Sequence, residues 1–228
     1  MKGLELKNTN RRVLAALFDM DGVLVDSISL HIESWNQVFT SMGLPSFSHE
    51  LYFSVLGHTN KEMLSTFSEV NQIRLSSPQI EDILFRKEAA FRENIMYHAS
   101  CTPGVLDWLT FFNLKHIPCS VASSATMANI AFILHTLKIA DYFLSAISGA
   151  YLPASKPDPR IFLSAAASLG VPAEDCLVIE DAPAGIQAAK SANMICCAIA
   201  TSYPKNKLAG ANFVLESLAE ITPEMFFE

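Results

Sequence analysis

The stretch Val13-Leu14-Ala15-Ala16-Leu17-Phe18-Asp19-Met20-Asp21-Gly22-Val23-Leu24-Val25-Asp26-Ser27 decides how the rest of the chain is read. Its first six residues are apolar and strand-compatible. The run stops at Asp19, and Asp21 and Gly22 follow before a second apolar run, Val23 to Val25. This is the pattern of a buried strand delivering carboxylates to its C-terminal edge, the edge at which open α/β sheets take their ligands. Gly22 lets the backbone turn, so that Asp19 and Asp21 can meet around one point instead of lying on opposite faces. Taken alone, a plain turn with Asp19 as a helix cap accounts for these residues about as well. A calcium loop of the EF-hand kind does not, because its glycine stands sixth and follows a helix, whereas this one stands fourth and follows a strand.

The 228 residues suffice for one large domain or for a core with a smaller insert, and half of them are hydrophobic, enough for a sizeable core. A net charge of -7 argues against nucleic acid or an anionic membrane as partner, since both need a concentrated positive surface. Cys101, Cys119, Cys176, Cys196 and Cys197 are odd in number and lack C-x-x-C spacing. They read as reduced core thiols of a cytoplasmic protein, ahead of metal binding or a disulfide framework. The first apolar run, Val13 to Phe18, is too short for a secretory signal and far too short to span a membrane.

Beyond Ser27 the period changes. Ile32, Trp35, Val38, Phe39 and Met42 fall at helical spacing until Gly43 and Pro45, and helical patterns recur over Glu62–Phe67 and Ile80–Ile95 without a convincing parallel strand. Residues 29–97 therefore read as a helical cap domain, with 1–28 and 98–228 forming the other domain. From Cys101 helices and strands alternate: helix 104–114, strand 119–122, helix 126–137, strand 146–148, helix 159–169, strand 176–179, helix 183–191, strand 195–200 and strand 213–215. Such alternation specifies an α/β fold, a Rossmann-like parallel sheet with helices on both faces and the cap inserted after the first strand.

Three later strand ends carry polar residues. In V-A-S-S-A-T, Ser123 and Ser124 offer hydroxyls at a helix start, a place that can hold a phosphate but that, taken alone, reads first as a helix cap. In S-K-P-D-P-R, Lys156 precedes a helix with Asp158 as N-cap and Pro159 as first residue. In L-V-I-E-D-A-P-A-G-I, Glu180 and Asp181 follow an apolar strand, two acids where capping needs one. Asp19, Asp21, Glu180 and Asp181 would then share one sheet edge. Two unit charges at about 4 Å repel by roughly 4 kcal/mol at an effective dielectric near 20, so a cation is required. Hard oxygen donors without His or Cys favour Mg²⁺, and Lys156 with Ser123 would supply charge and donors to a bound phosphate.

As a set, F-D-M-D-G-V-L-V-D-S, V-A-S-S, S-K-P-D-P and V-I-E-D-A-P-A-G-I resemble the four signature motifs of the haloacid dehalogenase superfamily, in order and across most of the core. The helical insert is similar to that of the subgroup holding β-phosphoglucomutase and small phosphosugar phosphatases. The resemblance implies that Asp19 is the nucleophile, forming an aspartyl phosphate, and that Asp21 is the general acid/base. It implies Mg²⁺ on Asp19, the backbone carbonyl of Asp21 and Asp181, with Glu180 assisting, and phosphate held by Ser123, Ser124 and Lys156. It also places His31, Trp35 and Lys87 at cap positions facing the substrate, with Asn60 and His58 in the nearby turn Leu56–Lys61. Leu56 and Asn60 depart from the mutase pattern, which has a Lys and an Arg there to grip a second phosphate.

The expectation is a Mg²⁺-dependent phosphatase, a cytoplasmic monomer acting on a small sugar or polyol phosphate, with neither nucleic acid nor membrane as partner. A phosphosugar mutase of the β-phosphoglucomutase type stands second, and a non-enzymatic binding protein that kept the fold stands third.

Overall fold

The computed structural model describes residues 3–7, 11–56 and 59–227. An antiparallel pair, β1 (Leu4–Glu5) and β2 (Arg12–Val13), precedes the sheet. The motif strand follows as β3 (Ala15–Phe18). Next come β4 (Cys119–Ser123), β5 (Ser145–Ser148), β6 (Cys176–Glu180), β7 (Ile195–Ile199) and β8 (Phe213–Leu215). These last six form one all-parallel sheet in the order β5-β4-β3-β6-β7-β8. Every residue of β3, β4, β6 and β7 is buried, which is why these strands read as continuous apolar runs without alternation.

The chain divides into two compact units, Met1–Asp26 with Ser100–Glu228, and Ser27–Ala99. In the first unit, helices α5 (Val105–Leu114), α6 (Met127–Thr136), α7 (Arg160–Leu169) and α8 (Pro183–Ser191) alternate with the strands, and α9 (Pro223–Phe226) closes the chain. Side chains of a strand point alternately to its two faces. Accordingly Ala15 and Leu17 join a core with Ile161, Phe162 and Ala165 of α7 and Ile186 and Ala189 of α8. Phe18 turns the other way, meeting Phe112 of α5 and Phe143 edge-on at 6.1 and 5.8 Å between ring centroids. Helices on both faces are the arrangement that an all-parallel sheet demands.

The second unit is built from α1 (Ile28–Ser41), α2 (His49–Ser54), α3 (Asn60–Val70) and α4 (Ser77–His98). Thr59 with Glu62 and Ser76 with Gln79 form capping boxes at the starts of α3 and α4, each satisfying backbone donors that a helix end leaves open. The apolar stripe of α1 is buried: Trp35, Phe39, Phe47 and Phe67 make one aromatic cluster, with Phe39 stacked on Phe67 at 4.1 Å. The Asn36 amide holds the connection to α2, accepting from the Phe47 N–H at 2.7 Å and donating to its carbonyl at 3.3 Å.

The parallel sheet and the helical insert after β3 stand as expected. The β1–β2 pair and α2 are additional, being two and six residues long and so carrying no period of their own. Helix α7 starts at Arg160, later than expected, because the Asp158 side chain accepts from the Arg160 N–H at 3.0 Å and makes a turn ahead of the helix. All five cysteines are free thiols. Among the described residues no helix is long and apolar enough to cross a membrane.

The aromatic cluster yields a direct test. Phe39→Ala removes a fully buried ring packed on three others, and large-to-small changes of this kind cost about 3–5 kcal/mol. Urea denaturation should show a loss of that size, with amide protection falling first in residues 27–99. A loss below about 1 kcal/mol would contradict the packing described.

Candidate active site

Sheet topology locates the site before any side chain is considered. The chain runs outward from β3 through β4 to β5, then returns to the other side of β3 and runs outward again through β6, β7 and β8. The order reverses between β3 and β6, and a crevice opens outside the strand ends at such a switch point. Register sets the residues there. Phe18 pairs with Val121 on one side and Ile179 on the other, so Asp19, the end of β4 and Glu180 arrive at one level.

At that edge Lys156 lies between two carboxylates, its Nζ 2.6 Å from Asp19 Oδ1 and 2.5 Å from Glu180 Oε1. Glu180 is buried and its other oxygen accepts from the backbone N–H groups of Asp181 and Ala182 at 2.7 and 2.8 Å. Its carboxylate occupies the space beside Gly185, where an added Cβ would meet Oε1 at 1.8 Å. Asp181 Oδ2 accepts from the Ser202 hydroxyl and lies 3.3 Å from Thr201 Oγ1, which donates to the Gly22 carbonyl at 2.6 Å. Gly22 has φ +77° and a Cβ there would sit 1.9 Å from Asp181 Oδ2. Both the left-handed backbone and the close approach of the acid demand glycine.

Burial and mutual repulsion dominate the electrostatics. Burial raises the Asp19 carboxyl to about 7, against the pull of Lys156, with Glu180 and Asp21 adding to the rise. Asp181 is held well above the ordinary carboxylate range by burial and by Glu180 and Asp19. Burial opposes the charge on Lys156, but Asp19 and Glu180 outweigh it and raise that ammonium. Asp19, Glu180 and Asp181 offer one oxygen each within 4.8 Å of one another, a set able to hold a metal ion. Three buried carboxylates against one lysine leave a net negative site, and an all-oxygen donor set suits Mg²⁺. Asp21, half-buried beyond Asp19, is not in that group; the resemblance asks of it a backbone carbonyl and a proton.

Ser123 is buried at the end of β4 and its Oγ accepts from the Ala125 N–H at 3.1 Å, while Ser124 is exposed and the helix begins later, with Thr126 as its N-cap. Ser123 thus closes the turn and keeps its own proton to donate. In the helical unit the structure brings together His31, Asn60 and Lys87. Lys87, fully buried, places Nζ 3.1 Å from His31 Nδ1, 3.4 Å from Asn60 Oδ1 and 2.9 Å from Glu88 Oε1. An ammonium only donates, so this contact favours the His31 tautomer that leaves Nδ1 as an acceptor. The His31 ring stacks on Phe91 at 3.8 Å. Trp35 is fully buried in the aromatic cluster, with Lys87 Nζ 5.6 Å from its ring centroid. His58 lies outside the described residues.

Sequence reasoning missed Thr201, Ser202 and Glu88. The first two follow β7 as Asp19 follows β3, so the same strand-end rule applied to every strand reaches them. Glu88 neighbours Lys87 on a helix, and such a pair ordinarily reads as a solvated face.

These charges set the response to metal and pH. The folded carboxyls of Asp19 and Asp181 titrate above their unfolded value of 3.8. Folding therefore takes up protons, and stability of the metal-free protein falls as pH rises from about 4 through 7. Mg²⁺ competes with those protons, so its stabilisation should be large at pH 8 and small at pH 5. At one hundred times Kd the expected rise in Tm at pH 8 is roughly 5–10 °C. A thermal shift equal at the two pH values, or absent at both, would contradict the site.

The haloacid dehalogenase-like hydrolase family matches residues 16–199. The chain is 30% identical over 218 residues to β-phosphoglucomutase of Bacillus subtilis, covering 94% of each protein. To the phosphorylated carbohydrates phosphatase of Thermotoga maritima it is 32% identical over 181 residues, 79% of this chain and 82% of that one. The crystal structure of CbbY from Rhodobacter sphaeroides in complex with xylulose-(1,5)bisphosphate superposes with a TM-score of 0.84 at 26% identity, over 91% of this chain and 96% of that one. With the four motifs gathered at one sheet edge, this chain belongs to the haloacid dehalogenase-like hydrolases, related within them to β-phosphoglucomutase and the phosphosugar phosphatases.

Proposed function

We propose that the chain is a Mg²⁺-dependent phosphatase that hydrolyses a small phosphorylated metabolite, a sugar or polyol phosphate, through a phosphoryl group carried on Asp19. The observation that carries this reading is the Asp19 carboxylate at the switch point, clustered with Glu180 and Asp181 and bonded to Lys156. A carboxylate nucleophile divides ester hydrolysis into two displacements. In the first, an Asp19 oxygen attacks phosphorus, the bond from phosphorus to the ester oxygen breaks, and Asp21 gives its proton to the departing alcohol. In the second, Asp21 takes a proton from water, whose oxygen attacks phosphorus, and the bond to Asp19 breaks to release inorganic phosphate. Lys156 and the Ser123 hydroxyl would supply charge and donors to the phosphoryl oxygens, the kind of help phosphoryl transfer chiefly needs. Bound at Asp19, Asp181, Glu180 and the Asp21 carbonyl, Mg²⁺ would neutralise charge on the transferring group. The two proposed domains, 1–28 with 98–228 and 29–97, would divide the work, chemistry in the first and substrate selection in the second.

A phosphosugar mutase is the second reading, supported by the identity to β-phosphoglucomutase over nearly the whole chain. Against it stand Leu56 and Asn60, where the mutase pattern has cations for a second phosphate. Phosphate release from para-nitrophenyl phosphate with and without Mg²⁺ separates an enzyme from a binding protein. A panel of sugar and polyol phosphates, scored for released phosphate or isomerised product, then separates phosphatase from mutase.

Asp19→Asn should lower turnover below detection while the protein stays folded, because an amide is not a competent nucleophile. Asp21→Asn should lose hydrolysis yet still accept a phosphoryl group from an ester whose leaving group needs no proton, seen as a stoichiometric burst in rapid quench. Near-normal activity in Asp19→Asn would falsify covalent catalysis there. Asn60→Ala should raise KM for the best sugar phosphate several-fold while para-nitrophenyl phosphate is affected less; equal effects on both would remove Asn60 from substrate selection.

A further inference from the structure

We propose that Thr201 and Ser202 are positioning residues that hold Asp181 and the turn at residues 19–22 to the spacing of a small divalent ion, so that the site takes Mg²⁺ in preference to Ca²⁺; this rests on the metal reading proposed above. Asp181 is buried, and the Ser202 hydroxyl donates to its Oδ2. Thr201 has one proton to give: its Oγ1 donates to the Gly22 carbonyl at 2.6 Å and flanks Asp181 Oδ2 at 3.3 Å. Gly22 follows Asp21, whose carbonyl the metal reading uses, so two consecutive residues tie the acid and the turn together. Thr201 is exposed and Ser202 half-buried. Side chains at such positions can turn to water, yet both hydroxyls turn inward.

The segment that carries the two hydroxyls is anchored on both sides. The Ala200 N–H donates to the Leu215 carbonyl at 2.9 Å, tying the end of β7 to β8, while Tyr203 packs on the core of this unit and Leu208 is fully buried. The turn is fixed as well: the Gly22 N–H donates to the Val25 carbonyl at 2.8 Å, and those of Leu24 and Val25 donate to the Met20 carbonyl at 2.8 and 3.1 Å. Little room is left between them, since a Cβ at Gly22 would meet Asp181 Oδ2 at 1.9 Å and Ser202 Oγ at 2.7 Å. Ca²⁺ takes its oxygens at about 2.3–2.6 Å in large, irregular shells, whereas Mg²⁺ takes them at about 2.0–2.1 Å in near-octahedral order. A larger ion would have to spread Asp181 from the turn, against hydroxyl bonds that join two anchored segments. Partners of this kind orient a ligating carboxylate and sustain its affinity; here they also set the size of the ion.

The test is isothermal titration calorimetry of the metal-free full chain at pH 8, with Mg²⁺ and with Ca²⁺, read as the ratio of the two dissociation constants. The wild type should bind Mg²⁺ more tightly. Ser202→Ala and Thr201→Val each remove one hydroxyl, and each should weaken Mg²⁺ about tenfold and Ca²⁺ by no more than about twofold, so that the preference falls about fivefold. Thr201→Ser keeps the hydroxyl and should leave the ratio near that of the wild type. A general loosening of the fold would weaken both ions alike. Equal losses for the two ions, an unchanged ratio in Ser202→Ala or in Thr201→Val, or a wild type that prefers Ca²⁺ therefore overturns the proposal. If Ser202→Ala does not fold, Thr201→Val, at an exposed position, decides by itself. Failure of the metal reading looks different, since the wild type would then take up neither ion, or Asp181→Asn would bind Mg²⁺ as tightly as the wild type.

Discussion

The edge of the sheet beyond β3 and β6 is governed by one imbalance, three buried carboxylates facing one lysine. Asp19, Glu180 and Asp181 stand within a single ion's reach, and Lys156 bridges two of them. Such a cluster is a poor way to stabilise a fold, because removing charges from water costs more than imperfect pairing returns. The folded protein tolerates it by keeping carboxyls protonated far above their usual range, Asp19 at about 7 by burial above all. The same imbalance is an affinity for cations. A divalent ion would supply the missing positive charge and relieve the mutual repulsion of the carboxylates.

The helical unit carries a second buried charge cluster with the opposite character. Lys87 is as deeply buried as any acid at the sheet edge, but Glu88 lies beside it and the neighbouring amide and imidazole are within hydrogen-bond distance. One cluster sets three carboxylates against one lysine; the other sets Lys87 beside Glu88 and ties it to Asn60 and His31.

Strand periods and strand-end polarity made most of the first unit legible. Buried parallel strands are apolar on both faces, so β3, β4, β6 and β7 stand out from their surroundings, and the residue that ends each run is the one delivered to the edge. Asp19, Ser123, Glu180 and Asp181 were reachable by that rule. Lys156 sits in a loop without a strand in front of it, and only its place in a motif identified it. What sequence could not yield was partnership. Nothing in the run R-K-E-A distinguishes a solvated pair from a buried one, so Glu88 is not legible there, whereas the helical spacing of Trp35 with Ile32 and Phe39 already puts its ring on the buried stripe. The β1–β2 pair and α2 are held by tertiary contacts and are too short to show a period.

Glycine illustrates how far the acids dictate their surroundings. Gly22 is legible as a turn residue, and its φ of +77° agrees, but the turn is only half of the reason: the Asp181 carboxylate lies where its Cβ would be. Gly185 has no such backbone excuse. It sits within α8, where glycine costs roughly 1 kcal/mol relative to alanine, and read as sequence it is merely a weak helix residue. The space it leaves open is filled by the Glu180 carboxylate, which must fit under the helix start to bond the N–H groups of Asp181 and Ala182 and still reach Lys156. A side chain at residue 185 would push Glu180 away from Lys156, and Lys156 away from Asp19. A position outside the acidic cluster is in this way tied to its charge balance, through the volume it does not occupy.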